Sequence, residues 1–126
     1  MTKKICIIDD DDDVRDIMSY ALENEGIETM TFKNAKIALD KLAVMDAKEY
    51  PALIIVDFLM PEMNGITFVE NIFTNHKNTL ALIPIALSTA NGKVEGIEKL
   101  PEQILKIPKP IDLDHFLEIV HGYIQS

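Results

Sequence analysis

Short apolar runs alternate with longer stretches of helical periodicity along the whole chain, and few folds accept such a pattern. Residues 4–8 (KICII) form an apolar run that ends in acids. Residues 14–25 place Val14, Ile17, Met18, Ala21 and Leu22 at helical spacing, and Gly26 follows as a stop. Residues 27–32 (IETMTF) alternate apolar and polar, as a half-buried strand would. Residues 35–47 read as a helix with Ile37, Ala38, Leu42 and Met45 on one face. Pro51 then punctuates, and 52–56 (ALIIV) is apolar throughout, as a central strand requires. Residues 65–75 carry Ile66, Val69, Ile72 and Phe73 at helical spacing. Residues 82–88 read as a strand with Pro84 near its start, where a missing N–H is tolerable. The stretch 91–101 holds Gly92 and Gly96 and predicts only a short, irregular helix. Residues 103–107 read as the last strand and 112–125 as the last helix. Asp112 is placed to cap that helix, with Leu113, Phe116, Leu117, Val120 and Ile124 on its buried face.

Strands and helices in strict alternation mean a parallel sheet covered by helices on both faces. Right-handed crossovers then leave few topologies. A length of 126 residues fits one domain, and 48% apolar residues give it an ordinary core without disulfide or structural metal. The one cysteine, Cys6, lies inside an apolar run and reads as a small core residue in a reducing compartment. A formal charge of −9 repels a phosphate backbone, so nucleic-acid binding is not expected. Four apolar residues after Lys4 are too few for a secretory signal, and no run has the length of a membrane span. The expected setting is the cytoplasm.

Sites in open parallel sheets lie outside the C-terminal ends of the strands. The first run ends in Asp9-Asp10, the third in Asp57, the fourth in Ser88-Thr89-Ala90 and the fifth in Lys109-Pro110. The second ends in Phe32-Lys33-Asn34 and offers nothing comparable. This distribution fits the strand order 2-1-3-4-5, with strand 2 at an edge. Asp9, Asp10 and Asp57 would converge, and three carboxylates cannot all stay ionised in one pocket without a cation. Mg²⁺, a hard ion with oxygen ligands and retained waters, suits them. Lys109 brings a positive point charge and Thr89 a hydroxyl donor. A metal, a lysine and a hydroxyl around one carboxylate suit a transferring phosphoryl group. Asp57 would then be the nucleophile and become an acyl phosphate. Taken singly these residues have plainer roles, and Asp12 and Asp13 read as an N-cap or first-turn charges. Their joint placement carries the inference.

The chain resembles the receiver domain of bacterial response regulators, the family of the chemotaxis response regulator. The resemblance is carried by Ile7-Ile8-Asp9-Asp10 followed by Arg15, by Leu53 to Gly65 (LIIVDFLMPEMNG), by Pro84 to Ala90 (PIALSTA) and by Lys109-Pro110. It implies a flavodoxin-like α/β fold and a single receiver domain over residues 1–126, with no output domain. It implies that Asp57 is the phospho-acceptor, that Asp10 binds Mg²⁺ directly, and that Asp9 helps through bound water. The backbone carbonyl of Leu59 would be a third protein ligand. Thr89 would hydrogen-bond the phosphoryl group and report phosphorylation by moving, and Lys109 would pair with the phosphoryl oxygens. The Lys109-Pro110 bond is expected to be cis. Pro61 and Gly65 would shape the loop beyond Asp57. The implied partners are a sensor histidine kinase or histidine phosphotransfer protein upstream and an unidentified protein downstream, with phosphorylation-dependent dimerisation as a further form of output. Catalysis is then confined to the chain's own phosphotransfer and dephosphorylation, and it is not expected to be an enzyme.

Departures from the family pattern qualify this. Receivers commonly carry an aromatic residue three positions before the lysine, and Lys106 stands there. Pro108 should stiffen the end of the last strand. The weak helix at 91–101 implies a modified output surface. Leu59 and Asn91 occupy the positions that flank the path of a hydrolytic water, and an apolar Leu59 cannot position it. Three other readings compete. A flavin binder on the same fold needs N–H donors where this chain has five aspartates, Asp9 to Asp13. An aspartate-nucleophile phosphatase usually has its nucleophile after strand 1 and needs cap elements. A degenerate receiver would lack phosphorylation residues that are present here. His76, His115 and His121 read as surface residues outside the pocket.

Overall fold

The computed structural model describes residues 3–89, 98 and 100–124. Its elements are β1 (Ile5–Ile8), α1 (Asp12–Glu23), β2 (Thr29–Phe32), α2 (Ala35–Ala43), β3 (Leu53–Asp57), α3 (Gly65–Asn75), β4 (Ile85–Thr89), β5 (Leu105–Pro108) and α4 (Leu113–Ile124). The five strands form one sheet in the order β2-β1-β3-β4-β5, and every neighbouring pair is parallel. The architecture is the expected one. The short helix expected at 91–101 falls almost wholly outside the described residues.

Side chains alternate across each strand, so the sheet builds two cores. Cys6, Ile8, Ile54, Val56, Ile85 and Leu87 face the layer formed by α2 and α3. Ile5, Ile7, Leu53, Ile55, Ala86 and Ile107 face α1 and α4, where Met18, Leu22, Phe116 and Val120 meet them. The central strands β1 and β3 are buried residue by residue, as their uninterrupted apolar runs require. With both faces covered, chemistry is left to the ends of the strands.

Each helix start is fixed by a short polar side chain. Asp11 accepts from the backbone N–H of Asp13 and Val14 and is the N-cap of α1. Asp12 and Asp13 are therefore first-turn charges, not caps. Asn34 and Asn64 cap α2 and α3 in the same way, at 2.8 and 2.9 Å. Asp112 accepts from the N–H of His115 at 3.2 Å, as expected of it.

Several expectations need correction. Leu113, expected on the buried face of the last helix, is exposed, and so are Ile17 and Ile37, which follow the helical spacing of theirs. Ile17 and Leu113 line an open groove between α1 and α4, together with Tyr20. β4 begins at Ile85 rather than at residue 82, because Leu80–Leu82 form a 3-10 turn and Pro84 delays pairing. The second helix ends at Ala43, with a separate 3-10 turn at Ala47–Glu49. β5 starts at Leu105 rather than at residue 103 and lies at the sheet edge. Edge placement explains why Pro108 is tolerated there. Among the described residues no helix is long and apolar enough to cross a membrane.

Candidate functional site

β1 and β3 lie side by side with Ile8 opposite Val56, so the residues that follow, Asp9 and Asp57, leave the sheet together. Asp10 follows Asp9, and one ligand atom from each of the three carboxylates lies within 4.8 Å of the others. Asp9 and Asp57 are buried, whereas Asp10 faces solvent. The parallel register also brings in the far edge of the sheet. Ser88 pairs with Asp57 and with Ile107, and Lys109 follows two residues on. The Lys109 Nζ sits 3.1 Å from Asp57 Oδ1 and 3.1 Å from Asp9 Oδ2. The Lys109-Pro110 peptide bond is cis, as expected.

This packing sets the charge states. Burial pushes the Asp57 carboxyl up to about 6, the neighbouring charge of Asp9 pushes the same way, and Lys109 opposes both. Burial works against the ammonium of Lys109, but hydrogen bonds and charge from Asp57 and Asp9 outweigh it and raise its pKa overall. The lysine thus stays charged, while the Asp57 carboxyl is held well above the usual carboxylate range.

The surrounding backbone fixes these groups. The guanidinium of Arg15 donates to the carbonyl oxygen of Asp9 at 2.6 Å and also bonds Asp12, tying the first turn of α1 to the end of β1. The N–H of Asp11 donates to Asp9 Oδ1 at 2.9 Å. The N–H of Lys109 donates to the carbonyl oxygen of Thr89 at 2.7 Å and joins the ends of β4 and β5. Beyond Asp57, the N–H of Gly65 bonds the carbonyl of Phe58, closing the loop that carries Leu59 and Pro61. A side chain at Gly65 would meet the Asp57 carbonyl oxygen at 2.6 Å and Leu87 at 2.5 Å, so this turn requires glycine.

The expected residues fall as follows. Asp9, Asp10, Asp57 and Lys109 form one cluster. Thr89 is placed by register, buried at the end of β4 one residue past the partner of Asp57. Leu59 lies two residues past Asp57 with its side chain 65% exposed. Asn91 lies outside the described residues. Lys106 is exposed on β5. His76, His115 and His121 stand away from the cluster, on the end of α3 and along α4, and His121 instead pairs with Glu25 at 2.9 Å. Sequence reasoning missed the anchoring role of Arg15 and the capping role of Asp11. An acid-rich turn followed by an arginine four residues after Asp11 is the signal that could have revealed both.

A five-stranded parallel sheet with an acid cluster and a lysine at its carboxyl end defines a receiver-type signalling domain. The family model of the response regulator receiver domain matches residues 5–121, and the chain belongs to that family, which serves two-component systems. Among curated relatives it is 33% identical over 97% of its length to the regulatory protein AtoC of Escherichia coli, and it spans 25% of that protein. It is 29% identical over 98% of its length to sporulation initiation phosphotransferase F of Bacillus subtilis, and spans 95% of that one. A response regulator receiver protein from Pseudomonas putida superimposes with a TM-score of 0.82 at 21% identity, covering 97% of this chain and 98% of the other. Receiver domains are signalling domains that interact with histidine kinases or phosphotransfer proteins and generally bind Mg²⁺ at an acidic pocket. The Asp9, Asp10 and Asp57 cluster is compatible with that ion.

Proposed function

We propose that this receiver accepts a phosphoryl group on Asp57 from a phosphohistidine of a sensor kinase or phosphotransfer protein, and signals by changing its protein contacts. The observation that carries this reading is the grouping of Asp57 with Asp9, Asp10 and the ammonium of Lys109. A carboxylate oxygen of Asp57 attacks phosphorus, the N–P bond of the phosphoimidazole breaks, and the imidazole nitrogen takes up a proton. Lys109 holds a fixed positive charge beside the acceptor and suits the outer phosphoryl oxygens. The hydroxyl of Thr89 adds a neutral donor at the end of the neighbouring strand.

The donor set fits Mg²⁺, because Asp9, Asp10 and Asp57 offer only hard carboxylate oxygens and the carbonyl of Leu59 would add another. Bound there, the ion would offset the crowded negative charge of the acids and of the phosphoryl group. The one cysteine is buried, which accords with a reducing cytoplasmic setting. Likeness to a sporulation phosphotransferase over nearly its whole length supports passing the phosphoryl group onward as one form of output.

The test is to incubate the protein with acetyl phosphate and Mg²⁺, then map the modification by proteolysis. A hydroxylamine-labile phosphoryl group on the peptide that contains Asp57 is expected. A label on one of the three histidines, or on no residue, would overturn the reading.

A further inference from the structure

Ser88 is 1% exposed, and its hydroxyl is a buried side-chain group without a hydrogen-bond partner among the described residues. An orphaned buried hydroxyl is destabilising and requires a physical reason. Packing does not supply one. Two of its neighbours on that side of the sheet, Ala86 and Ile107, are apolar and offer the hydroxyl no side-chain partner.

Position does supply one. Asp57 on β3 and Ser88 on β4 stand directly opposite each other in the parallel register. Ile55 and Ala86, two residues before them, both enter the core beneath α1 and α4. Side chains alternate along a strand, so Asp57 and Ser88 project side by side from that same face. Neighbouring strands lie ~4.8 Å apart. The Oγ of serine and a carboxylate oxygen of aspartate, leaning towards each other, can close that gap to about 2.7 Å. In the unmodified chain Lys109 already holds Asp57 Oδ1, at 3.1 Å.

We propose that Ser88 is a positioning residue for the modified acceptor. When Lys109 turns to the phosphoryl oxygens, the Ser88 hydroxyl donates to the Asp57 oxygen that the lysine has released. The inference rests on the reading of Asp57 as acceptor. A donor unpartnered in the unmodified chain and partnered in the modified one favours the modified state by the difference between the two. No bond to phosphorus involves Ser88. It fixes the rotation of the carboxyl group by bonding the oxygen that carries no phosphorus.

The probe is beryllofluoride with Mg²⁺, which bonds to a carboxylate oxygen as a phosphoryl mimic. Its affinity is read by calorimetric titration of the intact chain. In Ser88→Ala and Ser88→Val the affinity falls about fivefold, and Ser88→Thr, which keeps the hydroxyl, stays near the parent. The unligated Ser88→Ala protein melts no lower than the parent, because its orphan is gone. A role confined to packing would not separate threonine from valine. Equal affinity in parent and Ser88→Ala, or a Ser88→Thr protein that behaves like Ser88→Val, overturns the inference while leaving Asp57 as acceptor. A parent that takes up no beryllofluoride in Mg²⁺ overturns both.

Discussion

Asp57 is shaped by opposing effects whose balance can be measured. Its carboxyl is held at about 6 against an ordinary 3.8, so ionising it costs more in the folded chain than in the unfolded one. Between those values the folded state binds more protons, and its stability falls as pH rises. In chelator, Asp57→Asn is therefore expected to stabilise the fold at pH 7 by at most about 3 kcal/mol. The gain should be complete above pH 6 and vanish below pH 3.8, as urea melts across that range would show. Leu59 supports a kinetic prediction. Its exposed apolar side chain, two residues past the acceptor, cannot orient water. Leu59→Asn is expected to shorten the phosphoryl lifetime by a factor on the order of ten, and an unchanged decay by intact mass would count against that role. At this scale the sequence was legible where chemistry follows an apolar run, as with Asp9, Asp10, Asp57 and Lys109. It marked Arg15 and Ser88 without showing their roles, which depend on the bond of Arg15 to the Asp9 carbonyl and on the register that sets Ser88 beside Asp57.

At the scale of elements, the alternation of apolar runs and helical periods specified a parallel sheet, and the polar residues at the strand ends pointed to its order. Boundaries were less legible. Leu82 and Ile83 look like strand residues, yet a 3-10 turn precedes Pro84, and pairing begins only at Ile85. Ile17 and Leu113 follow helical spacing but face the groove between α1 and α4, since periodicity alone does not say how wide the covered stripe is. Lys106 and Pro108 make sense on an edge strand, which needs protection from further pairing. Two predictions belong here. Asn64→Ala removes the cap of α3 and should lower stability by about 1 kcal/mol in urea unfolding. Gly65→Ala should cost more, about 3 kcal/mol, because the added carbon meets backbone at 2.6 Å rather than a movable side-chain end.

The whole molecule gathers negative charge at one end of its sheet, and binding there should be linked to folding. Three acids within 4.8 Å, with one lysine to offset them, leave room for a divalent cation to add stability by mass action. Millimolar Mg²⁺ should raise the melting temperature, EDTA should reverse the rise, and Asp10→Asn should weaken it. A melting temperature indifferent to Mg²⁺ would argue against the metal. The chain spans a quarter of one relative and nearly all of another, so receiver-sized sequences occur both within longer proteins and as nearly whole ones. The account turns on Asp57 in either setting. Its most direct test is the intact mass after incubation with acetyl phosphate, with and without Mg²⁺, beside Asp57→Asn. The account predicts a gain of one phosphoryl group that requires Mg²⁺ and is absent from the variant. A folded parent that gains nothing, or a variant that gains as much as the parent, would contradict it.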